Sequence, residues 1–261
     1  MGVDTVVELP ALSEARRTQI AELLQASGAV TVAELQERFG VSPMTARRDL
    51  TILADRGVAR RTHGGAVRPS IAAGEDSFAH RLREHSEAKS RLAEAAYALL
   101  EPGQTVFLDA SSTTYYLARL ITLRQLALRV VTNSLPVLHE LSGSEASDIE
   151  VIAIGGTFRR LTSSYVGPSA VRAVRDHFAD SAFLSVTGIA PSGVMTDADA
   201  LEAEVKRAML EQSEHRVLLL DGSKVTARGR QAIAPLKTIT RILAEELTPE
   251  EAERLAQLKR S

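Results

Sequence analysis

Apolar residues recur at helical spacing through the opening quarter of the chain and gather into short continuous runs in the remainder. From Ser13 onward, Ile20, Leu23 and Leu24 fall on one helix face, and Gly28 ends the pattern. Thr31 and Glu34 have the T-x-x-E spacing of a capping box and open a second helix with Val32, Leu35 and Phe39 inward. Gly40 stands where a helix terminus favours positive φ. After Val41 comes Ser42, an N-cap with Pro43 in the first turn of a third helix. There Ala46, Leu50, Leu53 and Ala54 make the inward stripe, while Met44, Arg48 and Thr51 face away, flanked by Thr45 and Arg47. The next segment, "VARRTHGGAV", alternates briefly and contains Gly64-Gly65, which predicts a β-hairpin wing beside the third helix.

"RPSIAAGEDS", residues 68–77, has small residues and no period, and reads as a linker between a domain at 12–67 and one at 78–261. In the larger domain the runs "TVFLD", "LRVVTN", "EVIAIGG", "AFLSVTG" and "RVLLLDGSK" alternate with helical segments at 86–100, 113–124, 134–142 and 201–214. Near-continuous apolar strands separated by helices predict an α/β domain with a mainly parallel sheet covered on both faces. The predicted fold is thus a winged helix-turn-helix followed by a larger, Rossmann-like α/β domain.

Composition narrows the picture only in places. The chain has 261 residues and no cysteine, which excludes disulfides and thiolate zinc sites. "MGVDTVVELP" carries acids in place of a basic leader, and no apolar run approaches the roughly 18 residues of a membrane span. A cytoplasmic protein without membrane partners is expected. The net charge of -2 says nothing of nucleic acid. Residues 42–68 do: arginines 47, 48, 56, 60, 61 and 68 oppose Asp49 and Asp55, six minus two, or +4. Arginine suits bidentate contact with phosphate or guanine. A small, polar, arginine-bearing face at the start of a helix is what the major groove admits. Ser42, Met44, Thr45, Arg47, Arg48 and Thr51 are therefore candidate DNA contacts, joined on the wing by Arg60, Arg61 and His63. Asp49 fits a structural hydrogen-bonding role better than a DNA contact.

The larger domain places its candidate chemistry at strand ends. The runs finish at Asp109, Asn133, Gly155-Gly156, Thr187-Gly188 and Asp221-Gly-Ser-Lys224. Ligands of open α/β sheets bind outside the carboxyl ends of the strands. Ser111, Ser112, Thr113 and Thr114 open a helix directly after Asp109, and hydroxyls with free N–H groups at a helix start suit phosphate. Lys206 and Lys224, taken alone, read as surface charges sooner than as site residues; Glu202 precedes Lys206 at the spacing of a helix-surface pair.

"RRTQIAELL", "VSPMTARRDLTIL" and "RRTHGGAV" resemble the DeoR family of bacterial regulators, with Arg16, Ile20, Leu24, Ser42, Thr45, Arg47, Asp49 and Leu50 at the family's spacing. "EDSFAHR", "FLDASSTT", "VVTNS", "IGGTFR", "VGPSA", "TDADALEAEVKRAM" and "LLLDGSK" extend the resemblance over the larger domain. The resemblance implies a sensor domain similar in fold to ribose-5-phosphate isomerase that responds to a phosphorylated sugar or related metabolite. It also implies a pocket lined by Asp109, Ser112, Thr113, Thr114, Asn133, Gly155, Gly156, Lys206, Asp221 and Lys224. The chain departs from the family near Ala110 and Ser111, where glycine is frequent, and at Gly222, where a hydroxyl or histidine-type residue is usual.

The expected function is sequence-specific binding of operator DNA, as a repressor of carbohydrate genes released by a phosphorylated sugar. A homodimer or homotetramer is expected, since one winged domain covers too few base pairs. No cofactor, metal or catalytic group is implied. The competing class is a sugar-phosphate isomerase, with Asp109, Glu202 and Asp221 as candidate bases and the two lysines as cations. An arginine-faced groove helix on a linker favours the regulator.

Overall fold

The computed structural model divides between Gly74 and Glu75 into two compact units. It describes residues 9–27, 29–56, 58–62, 64–67, 77–143 and 148–260.

In the first unit α1 (Leu9–Ser27) starts four residues ahead of Ser13, with Pro10 in its opening turn, where no helical N–H is lost. Gly28 lies outside the described residues. Beyond it comes β1 (Ala29–Thr31), absent from the sequence pattern because three residues carry no period. Thr31 then caps α2 (Val32–Phe39): its hydroxyl accepts from the Glu34 amide at 3.1 Å, and the Glu34 carboxylate accepts from the Thr31 amide at 2.7 Å. Gly40 closes α2 at φ 62°, a conformation that favours glycine. Ser42 and Pro43 open α3 (Pro43–Asp55) as expected. The wing is β2 (Arg60–Arg61) and β3 (Gly65–Val67), and β3 also pairs antiparallel with β1.

Ile20, Leu24, Leu35, Leu50 and Leu53 fill the core of this unit, together with Ala46, Ala59 and Ala66. Ala54 is half-buried, and the fourth inward position of α3 belongs to Asp49, which is 2% exposed. Its carboxylate accepts from Arg16 Nε at 2.7 Å and from an Arg17 guanidinium nitrogen at 3.3 Å, so the buried charge is paired across to α1. Glu14 completes the join by pairing with both Arg17 and Arg56, which hold its carboxyl far down, at about 2.

The second unit opens with α4 (Phe78–Arg83) and α5 (Ser86–Tyr97). Ser77, placed in the linker by its neighbours' composition, caps α4 by accepting from the His80 amide. Then follow β4 (Thr105–Leu108), α6 (Ser112–Arg124), β5 (Arg129–Thr132), α7 (Leu135–Ser142) and β6 (Glu150–Ala153). A hairpin of β7 (Thr157–Arg159) and β8 (Ser164–Val166) leads through α8 (Pro168–Arg175) to β9 (Ala179–Leu184). Next come β10 (Gly188–Ile189), β11 (Val194–Asp197), α9 (Ala200–Glu211), β12 (Ser213–Asp221) and the single turn α10 (Ser223–Thr226). The chain ends in β13 (Gln231–Pro235), β14 (Arg241–Glu245) and α11 (Pro249–Arg260).

Six strands form a parallel sheet in the order β14-β12-β9-β4-β5-β6, and β10-β11-β13 make a small antiparallel one. Alternate residues of β4 supply both faces. Val106 and Leu108 pack with Leu117 and Ile121 of α6, whereas Phe107 packs with Val205 and Met209 of α9. All five predicted strand runs join the parallel sheet, and burial on both faces explains the near-continuous apolar character of the four interior ones, β6 being an edge strand. Its sixth strand, β14, is a half-buried edge with little apolar signal.

Candidate DNA surface and ligand site

Ser42 caps α3 by accepting from the Thr45 amide at 3.2 Å, and the two hydroxyls lie 2.9 Å apart. Arg47 and Arg48 are exposed, with no side-chain hydrogen bond or ion pair among the described residues. Met44 stands near them, 74% exposed. Arg61 turns back from β2: one guanidinium nitrogen donates to the Arg47 carbonyl at 3.0 Å and to the Thr51 hydroxyl at 2.6 Å. Thr51 and Arg61 thus fasten the wing to α3. Arg60 lies on β2, and His63 and Arg68 lie outside the described residues. The arginines counted in 42–68 divide by task, since Arg56 joins α3 to α1 and only Arg47 and Arg48 are seen to face solvent uncommitted.

In the parallel sheet the chain runs outward from β4 to β6 and then back from β9 to β14, so the direction switches between β4 and β9. A crevice at the carboxyl end of such a switch is where open α/β sheets take ligands. Asp109 follows β4 and Ser185 follows β9, and the Ser185 amide donates to Asp109 Oδ2 at 3.1 Å. Asp109 Oδ1 accepts from the Ser111 amide at 3.0 Å and the Thr114 hydroxyl at 2.9 Å. Lys206 enters from α9, donating to the Ser185 carbonyl at 2.7 Å and to Asp197 at 2.6 Å, with Asp109 3.4 Å away. Lys224 arrives from α10, donating to the Ser185 hydroxyl at 2.8 Å and lying 3.1 Å from Asp221.

Lys206 is therefore no surface charge. It and Glu202 are both buried and take different partners, Glu202 accepting from the Ser164 hydroxyl at 2.5 Å. Asp109 and Lys206 spend their capacity inside the protein, as a latch across the sheet's switch point. Ser111 caps α6 through the Thr114 amide, and the Thr114 hydroxyl also donates to the Asp109 carbonyl at 2.8 Å. Ser112 and Thr113 are buried in the first turn of α6. Asn133 donates to the Tyr165 carbonyl at 2.9 Å, while Gly155 and Gly156 are exposed beyond β6. At Gly222 an added Cβ would meet the Glu246 carbonyl oxygen at 2.2 Å, so the backbone at this point of the chain requires glycine.

Among the described residues, the buried side-chain nitrogens and oxygens without a hydrogen bond belong to Arg81, Thr113, Asn133, Asp221 and Gln212. Thr113 and Asn133 follow the carboxyl ends of β4 and β5, Asp221 ends β12 with its Oδ2 already 3.1 Å from the Lys224 ammonium, and the Arg81 charge bears on Asp197 and Lys224. Gln212 alone sits at the other end, before β12. Buried polar groups are almost always bonded, so such a cluster marks a place where bonds are to be made.

Burial would raise the Asp197 carboxyl, but Lys206 outweighs it and holds the group below its ordinary range. Burial likewise opposes charge on Lys206, and Asp197 and Asp109 reverse this, raising its pKa. Asp221 is held low because Lys224 and the Ser223 hydroxyl outweigh its burial. Glu202 is pushed up by burial. Lys89 is brought down to about 8, first by burial and then by the charge of Lys224. Its ammonium donates to the carbonyls of Arg81 and Glu84.

Sequence reasoning missed Ser185, Asp197, Arg81 and Lys89. Ser185 sits in the run "AFLSVTG", whose apolar pattern puts the end at Thr187-Gly188, whereas β9 ends at Leu184. Arg81 and Lys89 lie in a charge-rich stretch with nothing to set them apart from solvated positions.

Residues 16–72 match the DeoR-like helix-turn-helix domain, and residues 84–246 match the DeoR C-terminal sensor domain. The L-fucose operon activator of Escherichia coli (strain K12) is 35% identical over 237 residues, 90% of this chain and 96% of that protein. The glycerol-3-phosphate regulon repressor of Haemophilus influenzae is 35% identical over 221 residues, 85% of this chain and 84% of that one. Ribose 5-phosphate isomerase A from Methanocaldococcus jannaschii shares 15% identity over 55% of this chain and 56% of its own, with a TM-score of 0.40. These matches define a transcriptional regulator with a helix-turn-helix domain and a sensor domain. The chain belongs to the DeoR family of transcriptional regulators. Among the described residues, no helix is long and apolar enough to cross a membrane.

Proposed function

We propose that this regulator binds operator DNA through α3 and its wing, as a repressor released when a phosphorylated sugar or related metabolite occupies the carboxyl edge of the parallel sheet. The observation that carries the ligand half is the set of buried, unbonded polar atoms on Thr113, Asn133 and Arg81. A sugar phosphate offers both hydroxyls and an anion to such groups. On the DNA side, Arg47 and Arg48 supply guanine-reading forks and Met44 an apolar contact for a thymine methyl. Relatives named for L-fucose and glycerol 3-phosphate support a carbohydrate-derived ligand, and one of them is an activator, so the sign of control varies among relatives. A symmetric dimer or tetramer would present two heads to paired half-sites.

The test begins with duplexes selected from a random-sequence pool. Affinity for the selected duplex is then measured with and without a panel of sugar phosphates and the matching neutral sugars. Release by one phosphate, with an affinity shift of roughly 5- to 150-fold, is the expected result. Interconversion of an aldose phosphate and a ketose phosphate, with DNA affinity indifferent to every compound, would establish the isomerase instead.

A further inference from the structure

The amino edge of the parallel sheet, at the far end of the strands from the ligand edge, carries a surface whose two halves match each other. Thr105, Ala179 and Ser213 begin β4, β9 and β12 there. With them Phe178, Asp180 and Glu214 line a shallow shelf, and Phe178 is 81% exposed. Asp180 accepts from the Thr105 amide at 2.7 Å, and Glu214 is exposed. Neither carboxylate has a cationic partner among the described residues.

Beside this shelf α8 and α9 enclose a groove of about 400 Å³. Pro168 and Val171 give it apolar walls, and Arg172 and Arg207 outnumber Glu204. Arg172 donates to the Ser169 hydroxyl at 3.2 Å, and Arg207 donates to the Ile233 and Ala232 carbonyls at 3.1 Å and 2.7 Å. Neither guanidinium meets a carboxylate among the described residues. Groove and shelf adjoin where Arg175, which lines the one, pairs with Glu211, which lines the other, at 3.2 Å. A cationic groove with apolar walls thus lies next to an anionic shelf that projects an aromatic ring. Each half is the complement of the other, and a face that carries both is complementary to itself. Phenylalanine and arginine are also among the residues that protein interfaces concentrate.

We propose that this face joins two copies of the chain about a twofold axis. Phe178 of each copy enters the α8–α9 groove of the other, while Arg172 and Arg207 meet the other copy's Asp180 and Glu214. The proposal rests on the homo-oligomer in the reading above and assigns its surface. It leaves the carboxyl edge of the same sheet open to a ligand. The cleft between α5 and α6, where Leu123 is 77% exposed, offers no such match, because Arg91 and Arg124 are already paired with Glu245 and Glu94.

The test is sedimentation equilibrium of the full chain at micromolar concentration, with thermal melts to show that each variant is folded. The wild type associates. Phe178→Ala weakens association about tenfold or more, as loss of a central aromatic anchor does. Arg172→Glu and Glu214→Lys each weaken it as well, by setting like charges against one another. An equimolar mixture of these two variants regains association, since in the mixed dimer every such contact again joins opposite charges. Misfolded chains could not produce that recovery. Leu123→Ser associates as the wild type does. Failure of the mixture to recover, or dissociation by Leu123→Ser instead, overturns the proposal. Wild-type association that Phe178→Ala, Arg172→Glu and Glu214→Lys all match overturns this assignment alone, whereas a monomeric wild type overturns it together with the homo-oligomer.

Discussion

Arg47 and Arg48 stand exposed on α3 with no side-chain partner among the described residues, whereas Lys206 is 6% exposed and shared among Asp197, Asp109 and the Ser185 carbonyl. The same charge serves opposite ends. A surface that reads DNA keeps its cations solvated and uncommitted, so that phosphates or bases become their first partners. A sensor core must stay folded while empty, so most of its charges are neutralised internally and only a few polar atoms are left for a ligand. Counting cations in the sequence cannot separate these uses. Partnering can.

The sharpest way to break the comparison is to remove the buried cation. Lys206→Ala strands two buried carboxylates and should destabilise the sensor unit by roughly 3–5 kcal/mol, measured by urea unfolding. It is thus no selective probe of ligand binding, although the sequence suggests it as one. Its pH dependence identifies the cause. In the wild type Asp197 and Asp221 are held low, so their contribution is present above the ordinary carboxylate range and is lost as pH falls through their folded values. Without Lys206, burial dominates at Asp197 and raises it, so the variant should gain stability as pH falls from neutrality. A variant whose acid profile parallels the wild type would show that Lys206 matters only for packing.

The difference between the two units also governs what the sequence revealed. The caps at Thr31, Gly40 and Ser42 are local signals, and each appears where its spacing puts it. The five apolar strand runs are likewise legible: burial on both faces leaves a continuous pattern in β4, β5, β9 and β12, and the edge strand β6 keeps an apolar run although it is only half-buried. The neighbour relation of β4 and β9 is not local, and with it went the contact of Asp109 with Ser185 and the latch through Lys206. Asp49 reads as structural and is so, yet its partners Arg16 and Arg17 lie 33 and 32 residues away and no period announces them. Short elements such as β1, β10 and α4 depend on partners for their existence, and their sequences carry little sign of it.

On the exposed side, effects should be smaller and separable. Arg47→Ala or Arg48→Ala should cost roughly 1–3 kcal/mol on the selected duplex and relax the preference at one base pair. Arg61→Ala loosens the wing from α3, and should cost about 1 kcal/mol on selected and scrambled duplexes alike, the usual worth of such hydrogen bonds. Because its guanidinium is occupied by Arg47 and Thr51, the salt dependence should stay unchanged. A salt slope lowered by about one in Arg61→Ala would instead make it a phosphate contact.

The smallest effect bears directly on the ligand site proposed above. Thr113 is fully buried, and its hydroxyl has no hydrogen bond. Burying such a group unpaired costs free energy, and valine has nearly the same shape without the hydroxyl. Thr113→Val should therefore stabilise the empty sensor unit by up to about 1 kcal/mol, the reverse of what substitution in a satisfied network does. The same variant should bind a sugar phosphate less tightly, because the hydroxyl is one of the groups held ready for it. Stability and affinity would then move in opposite directions on one substitution. Thermal melts of wild type and Thr113→Val, each with and without the phosphate that releases DNA, measure both at once. A variant less stable than the wild type when empty would mean that the hydroxyl already has a partner, and that the unbonded atoms at this edge do not mark a ligand.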